Sequence, residues 1–248
     1  ILYRILLTPV TTPRESLYIE TGMMDIEHLI EVKQILAQNR LERTKNKLLD
    51  NVLKSNRPNC WNDRVNKTRE KYTEVDTRIL QKEEAKRLIN HEVKIKQRTS
   101  MIEISQKPNK PKKKVQYLIE GLEDTSDLGM KFYLKKMGRL DASILFKARN
   151  RMLDIKNNFR GKFPNLVCRG CGASNETQEQ VLQECIGIHN NNNTKLGKES
   201  LFSLTEASVC KEVARRLRFI MQKLNQGSSR NELHNIGNPG EASPSLGM

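Results

Sequence analysis

Thr12-Pro13-Arg14-Glu15-Ser16-Leu17-Tyr18-Ile19-Glu20-Thr21-Gly22 decides the fold class, because each part of it favours a helix. Thr12 stands as N-cap, Pro13 occupies the first helical position with its φ preset, and Glu15 sits at N3, which together read as a capping box. The helix should run through Leu17, Tyr18 and Glu20 and stop at Gly22, which takes a left-handed cap without steric cost. Downstream, the spacing predicts a second helix over Met24 to Arg43, with Ile26, Leu29, Ile30, Val32 and Leu36 as its apolar stripe. Leu48, Leu49, Val52 and Leu53 fit a short third helix ending near Asn56-Arg57-Pro58.

The rest of the composition agrees with a mainly α protein. Of 248 residues, 36% are hydrophobic, 5% aromatic and 29% charged, which is thin for a sandwich or barrel. The formal net charge of +15 suits a polyanionic partner, RNA or DNA, since each neutralised phosphate releases condensed counterions. The longest apolar cluster, Ile1–Val10, is interrupted by Arg4 and falls far short of the ~20 residues that span a bilayer. No membrane role, secretion signal or small-molecule substrate is indicated.

From about Cys60 to Ser105 the chain is charged and sparsely apolar. Glu83/Arg87 and Glu92/Lys96 are i,i+4 pairs in the favourable order. One long, solvated helix with weak tertiary anchoring is expected here. Lys107–Lys114, with two prolines and five lysines, reads as a basic linker, and a nuclear address, a phosphate-binding arm and a plain solvated spacer all fit it. Residues 131–160 should form two helices meeting near Gly138. Residues 131–162 carry ten basic and two acidic side chains, and 107–162 as a whole carries a net +9. In a helix from Asp141 to about Asn158, Ile144, Ala148, Met152 and Ile155 would face inward. Lys112, Lys113, Lys114, Lys147, Arg149, Arg151, Lys156 and Arg160 are then the expected phosphate contacts.

Five cysteines, three of them clustered, favour a reducing compartment, nucleus or cytoplasm, over a disulfide framework. Cys168-Arg-Gly-Cys171 has the form of a metal knuckle, with Gly170 and Gly172 permitting the turn. Ser174 or Asn175 should cap a helix from Glu176 to Glu184, placing Cys185 at its end and His189 four residues further on. The set Cys168, Cys171, Cys185 and His189 has the softness tetrahedral Zn²⁺ requires, and a structural zinc is favoured over buried free thiols. A redox C-x-x-C lacks its βαβ setting. Cys60 and Cys210 read as isolated thiols.

After a polar Asn190–Asn193 loop, Ser203-Leu-Thr-Glu206 reads as another capping box. It opens a helix through Val209, Val213, Leu217, Ile220 and Leu224, with Arg215, Arg216 and Arg218 outside. Disorder is expected from Gly227 to Met248. No Asp-Asp, nucleophile elbow or P-loop occurs, and the eight aspartates are scattered singly, so catalysis by converging carboxylates is not expected.

Several segments resemble, in order, the C-terminal part of non-LTR retrotransposon reverse transcriptases. These are Thr12–Gly22, Ala148-Arg-Asn-Arg-Met-Leu-Asp-Ile-Lys-Asn-Asn158, and Cys168–Cys171 with Glu176-Thr-Gln-Glu-Gln-Val-Leu-Gln-Glu-Cys185. The resemblance covers most of residues 1–225 and is most specific at 12–30 and 142–189. It implies a helical thumb that grips template–primer duplex, followed by a zinc knuckle. The polymerase palm would lie N-terminal to Ile1, so the chain is expected to be a fragment that is not active alone, and no catalytic residue carries over. The family knuckle usually has a His where this chain has Gln180, and His189 is expected to replace it, so zinc should depend on His189 and not on Gln180. The implied arrangement is thumb-like helices in 1–56, a charged helical segment in 57–106 and the basic linker in 107–114. A basic helical region in 115–163, the knuckle in 164–190, a C-terminal helix in 191–226 and a disordered tail in 227–248 follow. A helical scaffold with a structural zinc and no nucleic-acid role is the alternative.

Overall fold

The computed structural model describes residues 2–44, 46–53, 58–109, 112–122, 126–189 and 194–235. The expectations at 54–57, 110–111, 190–193 and 236–248 therefore lie outside the described residues. The protein is mainly helical, with no strand among the described residues. Its α-helices are α1 (Leu2–Ile5), α2 (Arg14–Thr21), α3 (Ile26–Arg43), α4 (Lys47–Leu53), α5 (Trp61–Tyr72), α6 (Lys82–Gln106), α7 (Lys113–Gly121), α8 (Phe132–Lys136), α9 (Arg139–Arg149), α10 (Lys198–Phe202) and α11 (Ala207–Asn235). A 3₁₀ stretch covers Lys156–Lys162 and a π-helical turn covers Gln180–Glu184. None of the described helices is long and apolar enough to cross a membrane. The chain divides into two units, Pro13–Lys131 and Ile1–Thr12 with Phe132–Met248.

In the first unit, α2 ends as its sequence directs. Gly22 adopts φ +64° and its N–H bonds to Tyr18 O at 2.9 Å. The start of α2 differs from expectation: Pro13 stands at the N-cap, no side chain caps the helix, and the Thr12 hydroxyl donates to Pro9 O at 2.7 Å. The next helix, α3, is capped by Asp25, which accepts the His28 N–H at 2.9 Å.

The α3 stripe is also rotated from the expected one. Val32, Ile35, Gln38 and Asn39 are buried, while Ile26 is 66% exposed and Leu29 and Ile30 also face outward. The rotation follows from polar partners. Buried Arg69 donates to Gln38 Oε1 at 2.5 Å and to Asn39 Oδ1 at 2.8 Å, and Gln38 Nε2 donates to Asn66 Oδ1 at 2.8 Å. Burial lowers the Arg69 pKa, with Glu42 the chief group acting to sustain its charge. Apolar spacing alone does not reveal a face whose lower half is polar and satisfied.

The expected single helix over 60–105 is two helices, and they are firmly anchored. Val65 and Tyr72 of α5 and Ile89 and Val93 of α6 form one buried cluster with Val32 and Ile35 of α3. Thr73 turns extended, its Oγ1 accepts the Val75 N–H at 3.0 Å, and Asp76 Oδ1 accepts the Arg78 N–H at 3.0 Å. These side-chain hydrogen bonds compete with helix continuation and break it without glycine or proline. The basic linker is shorter than expected, because Lys113 and Lys114 already belong to α7.

In the second unit, α9 packs along α11. Buried Cys210, Val213, Ala214, Leu217, Ile220 and Leu224 line one face of α11 at helical spacing. The two helices α8 and α9 meet near Gly138 as expected, with Gly138 at the N-cap of α9. The helix ends at Arg149, short of Asn158, because the Asn150 side chain donates to Phe146 O at 2.9 Å and Arg151 takes φ +50°. Ser203 follows the end of α10, so its expected capping box does not form and α11 opens at Ala207. α11 continues past Gly227 to Asn235, and the rest of the expected tail lies outside the described residues.

A Cβ on Gly22 would lie 2.6 Å from the Gly129 backbone carbon and from Leu128 O. Gly22→Ala combines that clash with an unfavourable positive φ, so denaturant unfolding should show a loss above about 1 kcal/mol.

Candidate metal centre

The knuckle begins with a backbone turn. Gly172 N–H bonds to Cys168 O at 2.9 Å and Cys168 N–H to Ala173 O at 2.7 Å. Gly172 adopts φ +76°, and a Cβ on Gly170 would stand 2.8 Å from Cys185 Sγ, so both glycines serve the turn as their positions suggest.

A buried ion pair fixes this turn to the rest of the unit. Glu176 is 0% exposed, its Oε1 lies 2.7 Å from Arg169 Nη2, and its Oε2 accepts the Arg169 N–H at 2.8 Å. The same carboxylate accepts the Lys156 N–H at 2.9 Å, while Glu176 O accepts the Asn157 N–H at 3.1 Å. Neither Arg169 nor Glu176 stood out as a site residue in the sequence. Their signal was position: one lies between the first two cysteines and the other opens the resembling Glu176-Thr-Gln-Glu stretch.

Thr177, rather than Ser174 or Asn175, caps the following turn by accepting the Gln180 N–H at 3.0 Å. The expected Glu176–Glu184 helix is reduced to a short piece ending in the π-helical turn Gln180–Glu184. Its closing bond, Cys185 N–H to Gln180 O at 2.8 Å, carries Cys185 back to the knuckle. The sulfurs of Cys168, Cys171 and Cys185 all lie within 4.8 Å of one another, and Cys168 Sγ is 3.8 Å from Cys185 Sγ. Two thiolates held at about 2.3 Å by one tetrahedral ion stand roughly 3.8 Å apart, so the trio suits a single metal ion. Cys60 and Cys210 form no disulfide and are not members of this group.

The trio is electrostatically uneven. Burial opposes ionisation of Cys171, but hydrogen bonds from the Ala173 backbone and from Cys185, Cys168 and Gln180 outweigh it and lower its pKa. Cys185, deeper in, is pushed up to about 12 by burial and then by the charge of Cys168. Metal binding must displace protons from such thiols, so affinity should fall as the pH falls.

His189 does not join the trio. Its Nε2 lies 2.9 Å from Val181 O and its Nδ1 2.8 Å from Thr194 Oγ1. A carbonyl only accepts, so Nε2 carries the proton and Nδ1 accepts from the threonine hydroxyl. Both ring nitrogens are thus committed. The side chain that meets the sulfurs is Gln180, whose Nε2 is 3.1 Å from Cys171 Sγ.

The expected phosphate contacts divide between the two units and differ in availability. Arg149 is a correction: it is 3% exposed, donates to Leu201 O at 2.8 Å and stacks over Phe202 at 4.4 Å and Tyr133 at 5.4 Å. Arg151 pairs with Glu179, and Lys156 Nζ donates to Val167 O at 2.8 Å and Asn165 Oδ1 at 2.9 Å. Lys112 pairs with Glu15 at 2.6 Å. Burial lowers the pKa of Lys114 and of Lys147, the latter partly offset by Asp154. Lys113 and Arg160 are exposed.

Glu176→Gln should destabilise the protein by about 3–5 kcal/mol in denaturant titration, because it leaves Arg169 as a buried charge without its counter-ion. Amide hydrogen exchange at Cys168 and Gly172 should quicken with it.

The chain matches no protein-family model, no curated protein and no solved structure.

Proposed function

We propose that this chain is a nucleic-acid-binding part of a non-LTR retrotransposon reverse transcriptase, with the cysteine knuckle holding a structural zinc ion. The observation that carries this reading is the convergence of three thiols at the positions the family resemblance assigns to its zinc knuckle. The net charge of +15 supplies the attraction for phosphate. Exposed Lys113 and Arg160, with half-buried Lys114 and Lys147, are the contacts of the original set that best suit phosphate. Arg149 is structural in this reading. RNA–DNA or DNA duplex would be bound without sequence preference, and no polymerase chemistry is assigned to these residues.

In the scaffold alternative, the charged 60–105 segment would be the part that oligomerises. Val65, Ile89 and Val93 of that segment are buried inside the first unit, whereas Val75, Ile79 and Ile95 are exposed.

Binding to a mixed-sequence duplex, measured by fluorescence anisotropy at two salt concentrations, should weaken steeply as salt rises. Arg160→Gln should lower the salt slope by about one, whereas Arg149→Gln should cost stability. A salt-independent affinity would falsify the proposal.

A further inference from the structure

We infer that Gln180, through its side-chain oxygen, is the fourth ligand of the metal centre; this rests on the zinc reading given above. Three thiolates leave one corner of a tetrahedron to fill. Among the described residues no other His, Cys, Asp or Glu joins Cys168, Cys171 and Cys185 in that group. His189 is tied to Val181 O and Thr194 Oγ1. Gln180 reaches the centre, with its amide nitrogen 3.1 Å from Cys171 Sγ.

Its other amide atom has no such role. Gln180 Oε1 is buried and lacks a hydrogen-bond partner. A buried acceptor left unmade costs about 1–3 kcal/mol, so the amide is not held in its present orientation by that atom. Rotation about the terminal side-chain bond exchanges Oε1 and Nε2, so the side chain can donate to Cys171 without metal and present oxygen with metal bound. Only the oxygen can serve, since the amide nitrogen's lone pair is delocalised into the carbonyl. Zn²⁺ accepts oxygen ligands alongside sulfur. The resulting centre has three sulfurs and one amide oxygen, and it should hold zinc less tightly than one closed by an imidazole.

Zinc affinity of the full chain, measured by competition with a chromophoric chelator, tests the assignment. Gln180→Ala should weaken zinc binding about 10–100-fold. Gln180→Glu, which keeps the shape and an oxygen ligand but loses the N–H donor, should retain it. His189→Gln, which keeps a donor for the Val181 carbonyl, should leave it unchanged. Wild-type affinity in Gln180→Ala overturns the inference and leaves the zinc reading standing. Equal loss in Gln180→Glu and Gln180→Ala also overturns it, because the amide would then act only as a donor to sulfur. A wild-type chain that binds no zinc overturns the reading and the inference together.

Discussion

The buried Glu176–Arg169 pair is the constraint on which the second unit's chemistry depends. Two full charges out of water are costly, and here the cost is met by a two-point guanidinium contact and by backbone N–H donors from Lys156 and Arg169. Because Glu176 binds the cysteine turn and Lys156 through its carboxylate, and Asn157 through its own carbonyl, Cys168 and Cys171 inherit a fixed position. The π-helical turn then returns Cys185 to them. Val181, Leu182 and Ile188 supply the knuckle's buried apolar side chains, and the Glu176–Arg169 pair ties that small interior to the cysteine turn.

The Gly22 cap was legible in sequence because its signal is local and steric. The break between α5 and α6 was not, since Thr73 and Asp76 end and re-aim the chain by hydrogen bonds that many exposed segments never make. The same holds for the end of α9, where Asn150 turns its amide onto Phe146 O. The face of α3 was misread for a related reason: Gln38 and Asn39 count as polar until Arg69 is seen to satisfy them.

At the candidate site, the three cysteines could be read from spacing and softness alone. The side chain that meets Cys171 could not. His189 is the better ligand in isolation, but Val181 and Thr194 claim both of its nitrogens. Gln180 is the poorer ligand, yet the π-helical turn brings it to Cys171. Likewise, Arg149 carries the charge expected of a phosphate contact, while its neighbours Leu201, Phe202 and Tyr133 make it part of the interior. Charge identifies a class of partner, and burial decides which residues are available to meet it.

The three sulfurs do not face solvent equally, since Cys168 and Cys185 are buried and Cys171 is half-exposed with the lower pKa. An electrophile or oxidant approaching from outside therefore meets Cys171 first. Modification of that one sulfur would leave a bound ion two thiolates, both deep in the fold. The centre has a single gate, and the durability of the whole knuckle under oxidising stress is set there.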